Sequence, residues 1–170
     1  SEGHPDLRLA VNLSSADLTT PDLVGEISAS VESAGLPTEC LVLELTESSL
    51  VEDPDQAVRR LRGLRELGIR LAIDDFGTGY SSLGYLQRYP IEILKVHRTF
   101  VAELGRHPDE PALATAILQL AHHLGMQTVA EGVEDAVQVE ALLALGCRFA
   151  QGFYFSRPLT AEEFLVLLAE

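Results

Sequence analysis

The chain has 170 residues, of which 46% are hydrophobic, so it is long enough for one domain with a hydrophobic core. Its formal net charge of −14 argues against a DNA- or RNA-binding protein, because phosphate backbones are bound by basic surfaces. No apolar run reaches the roughly 20 residues of a membrane span, segment 1–8 does not resemble a signal peptide, and Cys40 and Cys147 suggest no disulfide framework, which together favour a cytoplasmic protein.

One pattern repeats along the chain: an amphipathic stretch ends in glycine, and an apolar run follows within a few residues. The glycines stand where a residue just after a helix is expected, at Gly35, Gly68, Gly125 and Gly146. In chain order, the predicted strands are 7–13, 41–46, 69–75, 92–97, 127–131 and 149–153. The predicted helices are about 21–34, 55–67, 81–88, 110–124, 135–145 and 161–169.

Three helix starts carry local signals. Thr20-Pro21 and Asp53-Pro54 each place a capping residue before proline at a first helical position. The segment Thr160–Glu163 fits a capping box, in which the first and last side chains each accept a backbone N–H.

Six strand–helix units in succession predict a parallel α/β fold, either a doubly wound sheet or a (β/α)8 barrel. Every predicted strand carries a polar or ionisable residue near its C-terminal end. The carboxyl ends of barrel strands converge on one mouth, so this pattern favours a barrel. Because a barrel has eight strands, we expect an incomplete, TIM-like barrel from which about two units are absent.

The polar strand ends form a candidate site that consists of Asn12, Glu44, Asp74, Asp75, Lys95, Glu131 and Gln151. Four carboxylates around one mouth would repel one another unless a cation bound them. Oxygen donors without a cysteine cluster favour Mg²⁺ or Mn²⁺, and two such ions would suit attack on a phosphodiester. The alternative for Asp74 and Asp75 is ordinary capping at the end of a strand.

Adjacent strand residues point to opposite faces, so Asp74 and Asp75 can share the mouth only if the strand ends or bulges there. Glu44 lies between Leu43 and Leu45 and would be costly to bury without a partner. Lys95 is the only lysine of the chain, and a salt bridge to one of these acids is its simplest role.

Six segments resemble, in order, motifs of the EAL family: "VNLSSADL", "LELTESSL", "LAIDDFGTGYSSLGYL", "ILKVHRTFV", "TVAEGVED" and "QGFYFSRPL". The family consists of bacterial phosphodiesterases that hydrolyse the second messenger cyclic di-GMP to linear pGpG, and its fold is a modified (β/α)8 barrel. The resemblance implies one EAL-type domain over residues 1–170 that lacks its first two strand units.

The resemblance also implies roles for individual residues. Asn12, Glu44 and Asp74 would ligate one metal ion, and Asp74, Asp75 and Glu131 the second. Lys95 would position or activate the attacking water, with Glu131 as the other catalytic residue. Glu47 would steady the loop 75–82, which in this family lies near a dimer contact. Gln151 and Glu134 would lie near the nucleotide.

Because of two departures from the family pattern, we expect this chain to be impaired or inactive by itself. The strand with the signature Glu-Ala-Leu, whose glutamate is a metal ligand in the family, is absent from this sequence, and His97 stands where the family usually has aspartate. The chain would then be a fragment, a dimer-completed assembly, or a degenerate module that binds cyclic di-GMP or a protein partner without hydrolysis. A glycoside hydrolase is disfavoured, because sugar sites use aromatic platforms and this chain has no Trp.

Overall fold

Six strands form one parallel sheet in which the spatial order follows the chain order. The computed structural model describes residues 7–50, 53–78, 86–106 and 112–168. The strands are β1 (Leu9–Asn12), β2 (Leu41–Thr46), β3 (Arg70–Phe76), β4 (Ile93–Val96), β5 (Gln127–Ala130) and β6 (Phe149–Ala150). A sheet that adds each strand beside the last is a barrel wall, whereas a doubly wound sheet reverses its order at a switch point. The predicted α/β fold and incomplete barrel are confirmed.

Helices lie between the strands and follow the last one. They are α1 (Ser15–Thr19), α2 (Leu23–Ser33), α3 (Pro54–Glu66), α4 (Arg98–Val101), α5 (Ala112–His123), α6 (Ala136–Ala144) and α7 (Ala161–Leu167). Two short 3₁₀ helices cover Thr38–Cys40 and Glu47–Leu50. Within the described ranges, none of the helices has the length and apolar character needed to cross a membrane.

Most predicted boundaries lie within about two residues of the observed ones, and the exceptions have local causes. The four glycines predicted to follow helices have φ between 61° and 89°, a left-handed conformation that glycine adopts without strain. The prediction of a helix start at Thr20-Pro21 was wrong. Helix α2 begins at Leu23, with Asp22 at its N-cap position. Thr20-Pro21 instead follows the unpredicted helix α1, which begins with a capping box between Ser14 and Asp17.

Two predicted helix caps are confirmed, and one predicted strand is shorter than expected. Asp53 caps α3 by accepting the N–H of Gln56 at 3.0 Å, and the capping box at Thr160 is present. β6 ends after Ala150, short of the predicted 149–153, because the Gln151 carbonyl accepts the N–H of Val133 in the loop after β5. The predicted helix 81–88 lies mostly outside the described residues.

The two faces of the sheet are packed very differently. The outer face holds the main core, in which Leu45, Leu71 and Leu94 are fully buried under the helices. The inner face has only a small apolar cluster, formed by Val42, Ala72 and Ile93, with Val129 packed against it. Because side chains alternate along a strand, residues two positions after this cluster also point inward, at the C-terminal end of the sheet.

Polar side chains close the inner face at the opposite, N-terminal end of the strands. The Arg70 guanidinium donates to the Glu92 carboxylate at 3.3 Å and to the Gln127 side-chain oxygen at 2.9 Å. Arg65 reaches the same Glu92 carboxylate at 3.0 Å from helix α3. This network therefore separates the apolar cluster from solvent on the side away from the candidate site.

Both edges of the sheet expose apolar side chains. β1 and β6 each pair with one neighbouring strand of the described chain. Leu9 and Val11 on β1 are 51% and 42% exposed, and Phe149 on β6 is 52% exposed. Open edges of this kind can pair with additional strands, so the sheet has two places at which a longer barrel could continue.

Replacing a leucine of the outer core tests this packing. Leu64 on α3 is fully buried, so Leu64→Ala should lower the free energy of unfolding by about 2–5 kcal/mol. Leu143→Ala on α6 is the matched control, because Leu143 is 59% exposed and its truncation should cost less than about 0.5 kcal/mol. Urea denaturation followed by circular dichroism measures both, and equal losses would contradict the position of Leu64 in the core.

Candidate active site

The Lys95 side chain is the centre of the candidate site. Its ammonium group lies 2.8 Å from Glu44 Oε2, 3.2 Å from Asp74 Oδ2 and 2.7 Å from Glu131 Oε1. All four side chains are largely buried, with between 7% and 18% of each exposed. One cation thus holds three carboxylates that would otherwise repel one another at the same end of the sheet.

Parallel pairing brings these four residues together from four segments. Glu44 and Asp74 occupy the C-terminal halves of β2 and β3, and Lys95 occupies the equivalent part of β4. Glu131 directly follows β5, where its N–H still donates to the Val96 carbonyl at 3.0 Å. Gln151, just after β6, completes the row by donating its side-chain amide to Glu131 Oε1 at 2.7 Å.

A β-bulge brings Asp75 to the same rim as Asp74. The register of β3 against β4 shifts between Ile73 and Phe76, and Asp75 has a φ of 55°. Aspartate tolerates this left-handed conformation better than most residues, and here its N–H donates to Asp74 Oδ1 at 2.9 Å. The bulge expected from the adjacent aspartates is therefore present, and one carboxylate oxygen from each of Asp74, Asp75 and Glu131 lies within 4.8 Å of the other two.

The electrostatic balance shifts the pKa values of the central groups. Burial raises the pKa of Glu131, the nearby charges of Asp74 and Glu44 raise it further, and Lys95 opposes both effects. Burial by itself would lower the pKa of Lys95, but hydrogen bonds and charges from Glu131 and Glu44 outweigh it and raise the pKa above its ordinary value. Lys95 is accordingly a permanent cation, whereas Glu131 holds a proton more readily than an exposed glutamate.

Three other predicted site residues lie around this cluster. Asn12 is level with Glu44 across the β1–β2 pair but is exposed and forms no hydrogen bond with another described side chain. Glu47 is buried, and its Oε2 accepts the N–H of Gly77 at 3.3 Å, in the loop that it was predicted to support. The Glu134 N–H donates to the buried Gln138 side chain at 2.7 Å, and Glu134 lines a neighbouring cleft.

The cleft beside the carboxylates has a volume of about 520 Å³. Its walls include Glu134 and Gln151, which the sequence had suggested, and also Arg98, Thr99 and Arg157, which it had not. Arg98 and Thr99 follow β4 at the same end of the sheet, so the rule that identified the other site residues could have found them. The cleft is thus lined by two arginines and adjoins the acidic rim through Gln151, which contacts Glu131.

The donor set of the rim fits a divalent cation. Asp74, Asp75 and Glu131 offer converging carboxylate oxygens, and Glu44 adds another through its shared contact with Lys95. Carboxylate oxygens are the ligands that Mg²⁺, Mn²⁺ and Ca²⁺ prefer. The rim has more negative groups than its one ammonium neutralises, so a bound cation would relieve the remaining repulsion.

Comparison with known proteins gives close matches over nearly the whole chain. The cyclic di-GMP phosphodiesterase NbdA of Pseudomonas aeruginosa is 45% identical over 166 residues, which are 96% of this chain and 21% of that protein. A solved structure of the PaMucR phosphodiesterase in complex with c-di-GMP is 42% identical, with a TM-score of 0.89, and the match covers 96% of this chain and 66% of that one.

A third match bears on metal binding. A structure of Klebsiella pneumoniae BlrP1 in a manganese and cyclic di-GMP complex is 38% identical, with a TM-score of 0.81, over 89% of this chain and 39% of that one. This chain spans about a fifth of the length of the full-length relative above. The EAL domain model matches residues 1–158. The chain therefore belongs to the EAL domain family and is homologous to cyclic di-GMP phosphodiesterases.

Proposed function

We propose that this chain supplies the metal-binding and nucleotide-binding rim of a phosphodiesterase domain that hydrolyses cyclic di-GMP to linear pGpG. The observation that carries this proposal is the set of carboxylates gathered around Lys95 at the C-terminal end of the sheet. Relatives that share over 40% of the sequence are named as phosphodiesterases of this nucleotide.

Divalent ions, Mg²⁺ or Mn²⁺, are the proposed cofactors. Asn12, Glu44 and Asp74 would hold one ion, and Asp74, Asp75 and Glu131 would hold the second. Asp74 would serve both ions, and its side chain is oriented by the contact of Oδ2 with Lys95 and by the N–H of Asp75, which donates to Oδ1. At such a site a divalent ion polarises phosphate oxygens and lowers the pKa of a bound water.

Lys95 and Glu131 are the proposed catalytic residues. Lys95 is held by carboxylates on three sides, and its permanent charge would orient a water molecule and stabilise negative charge that develops on the phosphate. Glu131 has a raised pKa and a direct contact with Lys95, so it can exchange a proton near this position.

The cleft beside the rim would hold the nucleotide. Gln151 and Glu134 line it together with Arg98 and Arg157, whose guanidinium groups suit phosphate and guanine oxygens. Glu47 would support the loop 75–82 through its hydrogen bond with Gly77. Cyclic di-GMP is thus the proposed ligand.

The exposed edges of the sheet suggest how the domain is completed. We propose that residues 1–170 form one EAL-type domain whose first two strand units lie outside this sequence, and that those units pair with β1 and β6. The completed domain would form a homodimer or be attached to a regulatory domain. It would lie in the cytoplasm. The alternative is a degenerate module that binds cyclic di-GMP or a protein partner without hydrolysis, which His97 and the missing Glu-Ala-Leu strand favour.

Substitution of Asp74 tests the hydrolytic role. With Mn²⁺ or Mg²⁺ present, and in a chain that includes the native upstream sequence, formation of pGpG should fall at least about 100-fold in Asp74→Asn, because the amide removes one charge from the metal site but keeps the shape of the side chain. The measurement is chromatography of the linear product, with Asp55→Asn, an exposed aspartate on α3, as the control.

The outcomes separate catalysis from simple binding. Turnover that survives Asp74→Asn would overturn the proposed mechanism. Tight calorimetric binding of cyclic di-GMP without turnover, both in this chain and in a longer one that includes the native upstream sequence, would favour the degenerate module. Turnover that appears only in the longer chain would support completion of the barrel by the upstream segment.

Removal of the central ammonium tests the charge balance. Lys95→Met should destabilise the metal-free chain by about 2–3 kcal/mol, somewhat less than for a fully buried pair, because three carboxylates lose their shared cation. Added Mn²⁺ should recover part of that loss by binding the folded state. Urea denaturation with and without Mn²⁺ measures both effects.

Arg106→Met is the matched control, since the exposed pair of Arg106 with Asp135 should contribute less than about 1 kcal/mol. A metal-free Lys95→Met variant as stable as the wild-type chain would contradict the proposed balance of charges.

The raised pKa of Glu131 predicts a pH effect on metal binding. The folded, metal-free chain binds a proton at Glu131 more readily than an unfolded chain does, so protonation of Glu131 stabilises the fold. This contribution to the free energy of unfolding is lost as the pH rises through the pKa of Glu131 in the folded chain. Because the ion needs a deprotonated ligand, Mn²⁺ affinity should increase over the same range. Calorimetric titration with Mn²⁺ at several pH values measures this, and Glu131→Gln should flatten the dependence. An equal pH dependence of Mn²⁺ affinity in the wild-type chain and in Glu131→Gln would contradict the assignment of Glu131 as the titrating ligand.

A further inference from the structure

We propose that the His97 side chain is a nitrogen ligand of the divalent ion held by Asp75, and that the Thr99 hydroxyl accepts the Nδ1 proton of the imidazole tautomer that can bind this ion. The inference rests on the metal site of the proposed function and adds to it a residue of a different donor class. His97 immediately follows β4, two residues after Lys95, and so lies at the same end of the sheet as the carboxylates.

The first observation is the position of the ring relative to Asp75. His97 Nε2 lies 3.7 Å from Asp75 Oδ1, which is too long for a hydrogen bond between these atoms. Two donor atoms that each lie about 2.1 Å from one ion, at a right angle or wider, are roughly 3.0–4.2 Å apart. The spacing therefore suits a cation between the two groups, and the Asp75 carboxylate already belongs to the converging set with Asp74 and Glu131.

The second observation concerns the other ring nitrogen. His97 Nδ1 lies 2.9 Å from Thr99 Oγ1 and 3.3 Å from the Thr99 backbone nitrogen. When Nδ1 carries the proton, it donates to the hydroxyl oxygen in the shorter contact, and Nε2 presents a lone pair toward Asp75. When Nδ1 accepts from the backbone N–H, it caps helix α4, and the proton is on Nε2. The hydroxyl oxygen thus supplies the acceptor that the metal-binding tautomer needs for its Nδ1 proton, in the way that hydrogen-bonded partners orient histidine ligands elsewhere.

The chemical consequence is a change in metal preference. The other candidate ligands are oxygen donors, which suit Mg²⁺, whereas an imidazole ligand favours first-row transition-metal ions over Mg²⁺, Mn²⁺ modestly and Co²⁺ more strongly. An ion at Asp75 would therefore be bound by mixed oxygen and nitrogen ligands. We expect this chain to prefer Mn²⁺ and Co²⁺ over Mg²⁺ by a larger factor than a site built only from oxygen ligands.

Substitutions at His97 test the ligand directly. His97→Asn keeps a side chain that can cap α4 but removes the imidazole, so the fold should persist while Mn²⁺ affinity falls about 10–100-fold and Mg²⁺ affinity falls less. His97→Asp should restore binding with an oxygen donor and shift the preference back toward Mg²⁺. Calorimetry measures the affinities, and circular dichroism checks the fold.

Spectroscopy supplies a signature that a purely structural histidine would not give. Pulsed electron paramagnetic resonance of bound Mn²⁺ should show coupling to an imidazole nitrogen in the wild-type chain and none in His97→Asn. Thr99→Val, which removes the hydroxyl but keeps the backbone N–H, should weaken both the coupling and the affinity, and Thr99→Ser should retain them.

Each result supports or overturns a defined part of the inference. Bound Mn²⁺ that shows no nitrogen coupling in the wild-type chain would make His97 only a helix cap and would leave the carboxylate site intact. Mn²⁺ that fails to bind the wild-type chain at all, or that still binds Asp74→Asn with full affinity, would overturn the metal site and this inference together. Equal coupling in Thr99→Val and wild type would overturn the role of Thr99.

Discussion

The rest of the site depends on one ammonium group placed among three carboxylates. Glu44, Asp74 and Glu131 come from separate strands, and their approach would be prohibitive in a partly desolvated pocket without the charge of Lys95. The cation therefore has a structural effect, because it offsets the repulsion among carboxylates at the ends of β2 and β3 and just after β5. The remaining excess of negative charge explains why this rim is suited to bind a further cation.

The two faces of the sheet have different roles in this arrangement: the outer face packs against the helices, and the inner face carries the site. Leucines on the outer face bind the sheet to its helices, so the inner face needs only the small cluster of Val42, Ala72 and Ile93. This cluster lies between the charged rim at one end of the strands and the Arg70–Glu92 network at the other. The charged side chains of the rim thus pack on a thin apolar layer on the inner face of the sheet. A bulge at Asp74–Asp75 adds one more carboxylate to the rim without lengthening the strand.

The repeated glycines, the helix caps and the polar strand ends were sufficient to predict the parallel α/β fold and to select the residues of the rim. The sequence did not reveal α1 or α4, because each is a single short turn set by local capping, at Ser14 and His97, rather than by hydrophobic periodicity. Nor could it show that Lys95 contacts three acids rather than one, since that depends on the register of four strands. Arg157 was missed because an arginine in a loop carries no sign of whether it faces solvent or a cleft, whereas Arg98 begins α4 directly after β4 and could have been selected by its position at the end of a strand.

The position of Lys95 has a practical consequence, because the chain has no other lysine. Any amine-directed reagent or lysine-specific endoprotease has a single side-chain target, and that target is shielded by its three acidic neighbours. Acylation of the native chain would proceed only as fast as the cluster opens, so the labelling rate would report the fluctuations of the rim with single-residue resolution. The chain thus contains its own probe of local opening, with no engineered label needed.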